Sequence, residues 1–119
     1  MPVLRKIEVE AIRLMAGDSL STSQVSLLEN YAGQSEYKYT GCGYYLSIDQ
    51  LWLPDLMRTL SEPAVVGSSG EVRCGFVVHL KPHRLVLECH TRGEIDGPPN
   101  FREQSVLITT PEITQLESK

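Results

Sequence analysis

Residues 71–91 read Glu-Val-Arg-Cys-Gly-Phe-Val-Val-His-Leu, then Lys-Pro-His-Arg, then Leu-Val-Leu-Glu-Cys-His-Thr. Val72, Cys74, Phe76, Val78 and Leu80 fall on one parity, and Leu85, Leu87 and Cys89 form the matching set after the break. Alternation on both sides of a turn predicts a half-buried β-hairpin. Pro82 presets the φ of a turn's second position, so Lys81-Pro82-His83-Arg84 suits a type I turn. That register sets Leu80 opposite Leu85, Val78 opposite Leu87, Phe76 opposite Cys89 and Cys74 opposite Thr91. A slip of one residue would turn the whole apolar set into water, so the register is strongly specified.

The rest of the chain builds outward from this hairpin. In residues 3–14, Ile7, Val9 and Ala11 alternate with Lys6, Glu8 and Glu10, which reads as a first strand with one wet face. Gly17-Asp18 breaks it. Ser21 and Gln24 stand at capping-box spacing, and Val25, Leu28 and Tyr31 follow at helical spacing, so one short helix is expected over residues 21–32, with Gly33 ending it. A strand through 25–28 is the competing reading. Residues 36–48 are rich in tyrosine and β-branched side chains, and Tyr44, Leu46 and Ile48 share a parity. Gly41 and Gly43 imply a bulge, a bend or a tight turn between two strands.

Pro54 followed by Asp-Leu-Met-Arg-Thr-Leu suggests a helical turn that Pro63 closes. Gly67-Ser68-Ser69-Gly70 reads as a flexible turn before the hairpin. Residues 93–100, with Pro98-Pro99, read as a loop, residues 102–109 as a last strand, and the tail after Pro111 as loosely ordered. No repeat or linker divides the chain, so a single domain over residues 1–119 is expected. The fold class is mainly β: a small, strongly bent antiparallel sheet or β-barrel of five or six strands with one short helix.

The layout of a short helix with a bent sheet of five or six strands resembles the small barrels of Sm-like proteins. The Gly-Tyr-Tyr-Leu-Ser-Ile strand and the leucine-rich hairpin resemble all-β immunity proteins of bacterial toxin systems. The uridine-pocket Asp/Asn motif and the Arg-Gly signature of Sm-like proteins are missing, so RNA binding does not carry over.

The 119 residues are 41% hydrophobic and 22% charged, with a formal charge of −4. That size suffices for one core without disulfides or metal. No basic run offers the phosphate-neutralising patch that nucleic acid requires. There is no secretory pattern after Arg5-Lys6 and no apolar run long enough for a membrane span, which points to a cytoplasmic protein. Three cysteines is an odd count without a Cys-x-x-Cys pair. Cys74 and Cys89 are diagonal neighbours in the hairpin, about 7–8 Å apart between Cα atoms, so all three thiols are expected to be free.

Candidate chemistry is sparse. His79 and His90 share the outer face of the hairpin with Glu88, but lie on the order of 13 Å apart along the strands, too far to ligate one ion. Glu88 is placed to orient His79. Cys42, flanked by Gly41 and Gly43, is the best candidate nucleophile, but no base is set beside it. Gly-Ser-Ser-Gly is not a nucleophile elbow, and Gly41-x-Gly43 lacks the third glycine and the helix of a dinucleotide site. Asp49, Asp55, Glu62 and Glu71 are scattered rather than paired. No catalytic, cofactor or metal residues are assigned.

The aromatic distribution stands out. Tyr31, Tyr37, Tyr39, Tyr44, Tyr45 and Trp52 all lie within residues 31–52, and alternation cannot bury them all. Tyr37, Tyr39, Tyr45 and Trp52 are therefore the candidate protein-interaction residues. The expected function is a non-enzymatic interaction module that binds another protein or itself, immunity-like or regulatory. An oligomerising Sm-like barrel is the second reading and a Cys42-dependent enzyme the third.

Overall fold

The computed structural model describes residues 2–92, 101–103 and 106–110. Two helices, α1 (Lys6–Ala16) and α2 (Thr22–Glu29), precede strands β1 (Glu36–Tyr39), β2 (Gly43–Asp49), β3 (Arg58–Ser69), β4 (Val72–Lys81) and β5 (Arg84–Arg92). A short 3-10 turn (Phe101–Glu103) and β6 (Leu107–Thr109) follow. The strands form one antiparallel sheet in the order β1-β2-β5-β4-β3-β6, which among the described residues is open at both edges rather than closed into a barrel. No helix among the described residues is long and apolar enough to cross a membrane.

The β4–β5 hairpin carries the expected register, with Phe76 opposite Cys89, Val78 opposite Leu87 and Leu80 opposite Leu85. All seven side chains from Cys74 to Cys89 on that parity are buried. The turn differs in type. His83 has φ 56°, whereas a type I turn holds that position near about −90°. The left-handed conformation is repaid by hydrogen bonds: His83 N–H donates to Pro54 O, and its carbonyl accepts from Gln50 N–H. Its Nδ1 lies 3.1 Å from both Leu51 O and Leu53 O. These contacts also explain why residues 54–60 do not form the expected helical turn. The loop's backbone groups are committed to His83, and β3 begins at Arg58.

The largest departure is at the N-terminus, where residues 6–16 are helix and not strand. Glu8, Val9, Ala11, Ile12, Met15 and Ala16 are buried, the stripe of a helix. Arg5 is the N-cap, and the Glu8 carboxylate accepts its backbone N–H at 2.7 Å. α2 starts as expected, with Ser21 Oγ accepting from Gln24 N–H and Gln24 Oε1 from Ser21 N–H. It ends at Glu29 with Asn30 as C-cap, before Gly33. Two α-helices, not one, therefore stand among the described residues.

Three further segments differ from expectation. Gly67, Ser68 and Ser69 belong to β3, and only Gly70-Glu71 turns. Gly67 is needed in the strand because a Cβ there would stand 2.9 Å from the Phe76 ring. Pro63 ends no helix. It sits in β3 where the pairing with β4 shifts between Leu60 and Val65, a place where a residue without an N–H is tolerated. Residues 102–109 are not one strand, since Phe101–Glu103 is a 3-10 turn and β6 starts at Leu107. The expected loop over 93–100 and the tail after Pro111 lie outside the described residues.

α1 covers one face of the sheet. α1 packs on β3, β4 and β6, and α2 packs beside α1. Leu28, Ile12, Leu46, Ile48, Val78, Leu85 and Leu87 form the centre of the core. The β1 edge lies beyond this cover, and all four of its residues are exposed.

Candidate functional site

The aromatic edge is built by the β1–β2 hairpin. Thr40 N–H donates to Gly43 O at 2.9 Å, closing a two-residue turn over Gly41-Cys42. Gly41 has φ 88° while Cys42 has no positive φ, the pattern of a type II′ turn with glycine first. Gly43 is fixed for another reason: a Cβ there would meet Cys89 O at 1.8 Å, so the close approach of β2 to β5 admits no side chain.

Pairing sorts the tyrosines by face. Tyr37 is opposite Leu46 and Tyr39 opposite Tyr44, on the face shared with the helices, while Tyr45 is opposite Lys38 on the bare face. Tyr44 is 2% exposed, whereas Tyr37, Tyr39 and Tyr45 are 41%, 40% and 39% exposed. The rings thus wrap around the sheet edge. Trp52 does not join them. It lies outside the strands, half-buried, edge-on to Tyr31 with centroids 6.2 Å apart.

Beneath the edge is a polar cluster that alternation did not reveal. Glu8 is 0% exposed. Its Oε1 accepts from Arg5 N–H and from Arg102 Nη2 at 2.8 Å. Its Oε2 accepts from Arg102 Nε at 2.7 Å and from the Tyr44 hydroxyl. Arg102 also donates to Val3 O and lies over the Tyr37 and Tyr44 rings, 5.3 and 5.5 Å from their centroids. The two rings are themselves 5.4 Å apart. A buried carboxylate whose two oxygens each accept two hydrogen bonds meets the condition under which a buried charge is tolerated. Burial, then the Glu8 charge, pushes the Tyr44 phenol well above its ordinary range. Burial also raises Tyr37, with Arg102 opposing it. For Arg102 burial acts downward, but the hydrogen bond and charge of Glu8 outweigh it. The cluster is a clamp joining α1, β2 and the 3-10 turn, and it holds Tyr37 in place from below.

The bare face carries a second row. Glu88 Oε1 lies 2.8 Å from His79 Nε2, and Glu88 Oε2 lies 3.4 Å from His90 Nδ1. Glu88 orients His79 as expected, and reaches His90 as well. Thr59 Oγ1 is 3.4 Å from His79 Nδ1. Hydroxyl, imidazole and carboxylate follow the order used to activate a nucleophile. They stand, however, on an open sheet face with Thr59 exposed, not in a water-excluding cavity. No cluster of three or more His, Cys, Asp or Glu side chains that would hold a metal exists among the described residues. Cys42 is exposed at the tip of the β1–β2 turn, while Cys74 and Cys89 are buried and all three are free. No hydrogen-bond or ion-pair partner to the Cys42 thiol is present among the described residues.

No protein family, curated protein or solved structure matches this chain.

Proposed function

We propose that this chain is a protein-interaction module, not an enzyme, and that it meets its partner at the β1 edge. The supporting observation is the trio Tyr37, Tyr39 and Tyr45, each about two-fifths exposed on β1 and β2, the last two strands at one edge of an open sheet. Tyrosine brings large contact area with few rotatable bonds and a polar end, which is why interfaces are enriched in it. An edge strand adds backbone donors and acceptors for a further strand. The Glu8–Arg102–Tyr44 clamp keeps Tyr37 ordered before contact, which lowers the ordering cost of association.

The test is single substitution of Tyr37, Tyr39 and Tyr45 by Ala, with thermal midpoint and sedimentation-derived mass measured for each. An anchoring ring should cost more than about 1–2 kcal/mol of association with the midpoint nearly unchanged. Substitutions that merely lower the midpoint, in a chain that associates with nothing, would show the rings to be structural.

A further inference from the structure

We propose that β1 pairs antiparallel with β1 of a second copy of this chain, about a two-fold axis at Tyr37, so that one sheet runs through the dimer. This rests on the interaction reading above and names its partner.

Hydrogen-bond alternation comes first. Thr40 bonds to β2 through its N–H, so alternation along the strand turns Lys38 and Glu36 toward β2 as well. The N–H and C=O of Tyr37 then aim at the open edge, where a second strand would meet them.

Symmetry is the next constraint. A two-fold axis normal to the sheet keeps each face on its own side, so partners across it must share a parity. Two registers bring the centre of β1 onto the axis. Centred on Tyr37, Glu36 stands opposite Lys38 of the partner subunit, and Lys38 opposite Glu36 of the partner subunit. Centred on Lys38, two ammonium groups would face each other, which is unfavourable for directly opposed residues.

Charge therefore selects the first register. Glu36 and Lys38 are exposed and lie on the same face, and neither makes a close ion pair among the described residues, although Glu36 feels the Arg84 charge. A lone lysine on an edge strand usually guards against pairing. With a glutamate two residues away on the same face, the guard becomes one half of a self-complementary pair. In this register the two Tyr37 rings meet on the opposite face, each already braced by Tyr44 and Arg102. A four-residue edge buries little area, so the dimer is weak and concentration-dependent.

The experiment is analytical ultracentrifugation over a wide concentration range, on the wild type, Glu36→Lys, Lys38→Glu and the double reversal. The wild type should dimerise, and each single reversal should raise the dimer dissociation constant about tenfold or more. The double reversal should restore it. Unchanged thermal midpoints would show that all four chains fold, as expected for exposed positions. A dimer indifferent to both single reversals overturns the proposal, as does a ring or open-ended assembly, which requires pairing of unlike edges. A wild type that stays monomeric at high concentration also overturns it. If that monomer captures another protein in a Tyr37-dependent way, the interaction reading survives and only the second-copy partner fails. If Tyr37→Ala alters no association of any kind, both fail.

Discussion

The β4–β5 and β1–β2 hairpins both close over two-residue turns, yet different physics holds them. The first is apolar throughout its inner face and needs no buried charge, and its turn reaches outside, where His83 bonds to Pro54 and Gln50. The second buries Leu46 and Ile48 in the same core, but it also buries Tyr44, whose hydroxyl needs a partner that the hairpin does not supply. Glu8 supplies it from 36 positions earlier, and Arg102 completes the charge balance from 94 positions beyond Glu8. Apolar burial is forgiving about direction. A buried carboxylate is not, because each oxygen must find donors at fixed angles. The edge of the sheet is thus the more conditional structure, and it is where the exposed aromatic rings stand.

The largest expected effects would break one hairpin or the other. Phe76 is 2% exposed, and Phe76→Ala should cost about 3–5 kcal/mol by cavity formation and lost transfer energy. Arg102→Met should cost a similar amount, about 3–5 kcal/mol, because it leaves Glu8 buried and half unpaired. The difference appears in the rescue. Replacing both charges, Glu8→Leu with Arg102→Met, should recover much of the loss, since an apolar pair often replaces a buried ion pair without penalty. Denaturant unfolding of the two singles and the double decides this. A double as unstable as the sum of the singles would show that the clamp acts by shape and not by charge.

That contrast also explains what the sequence could reveal. Period-two alternation over residues 71–91 is a local signal, and it specified the register of β4 and β5 down to the facing pairs. The capping box at Ser21 and Gln24 is equally local and equally legible. Residues 3–14 defeated the same method, because Ile7, Val9 and Ala11 satisfy alternation over a short window. The reading depended on taking Glu8 as solvated, when it is the most buried charged group described. A longer window would have favoured the helix, since Val9, Ile12, Met15 and Ala16 follow a 3.6-residue period that alternation cannot reproduce. The site was legible only in part. Clustering of tyrosines pointed to β1 and β2, where three exposed rings stand, but nothing in the sequence links Arg102 to Glu8 or sets Trp52 apart from those rings.

A smaller effect sharpens the comparison within one dipeptide. Tyr44→Phe deletes the donor to Glu8 Oε2 and should cost about 1–3 kcal/mol. Tyr45→Phe, on the bare face, should stay within about 0.5 kcal/mol. The pH dependence follows from the raised Tyr44 phenol. Its ordinary value is 10.0, so the unfolded chain gives up this proton first as pH rises. The stability that depends on it is complete below pH 10.0 and falls above that point. Denaturant midpoints measured through the alkaline range should decline, and Tyr44→Phe should flatten the decline. An unaltered slope in that variant would place the loss elsewhere.

The smallest expected change concerns the thiols, where the two hairpins differ in accessibility and not in energy. Cys42 stands at the tip of the β1–β2 turn, while Cys74 and Cys89 lie within the β4–β5 core, each 1% exposed. A hydrogen bond shared with Cys74, together with burial, pushes the Cys89 thiol well above its ordinary range, so it stays protonated and unreactive at neutral pH. One thiol should therefore alkylate in the native protein and three after unfolding in urea. Intact mass without reductant should show no loss of a hydrogen pair, because diagonal residues on paired strands hold their Cα atoms at or beyond about 7 Å, outside comfortable bridging distance. Native labelling of two or three thiols would mean that the β4–β5 hairpin opens as readily as the edge. The contrast between an apolar hairpin and a charge-dependent one would then fail at the hairpin whose register is most firmly specified.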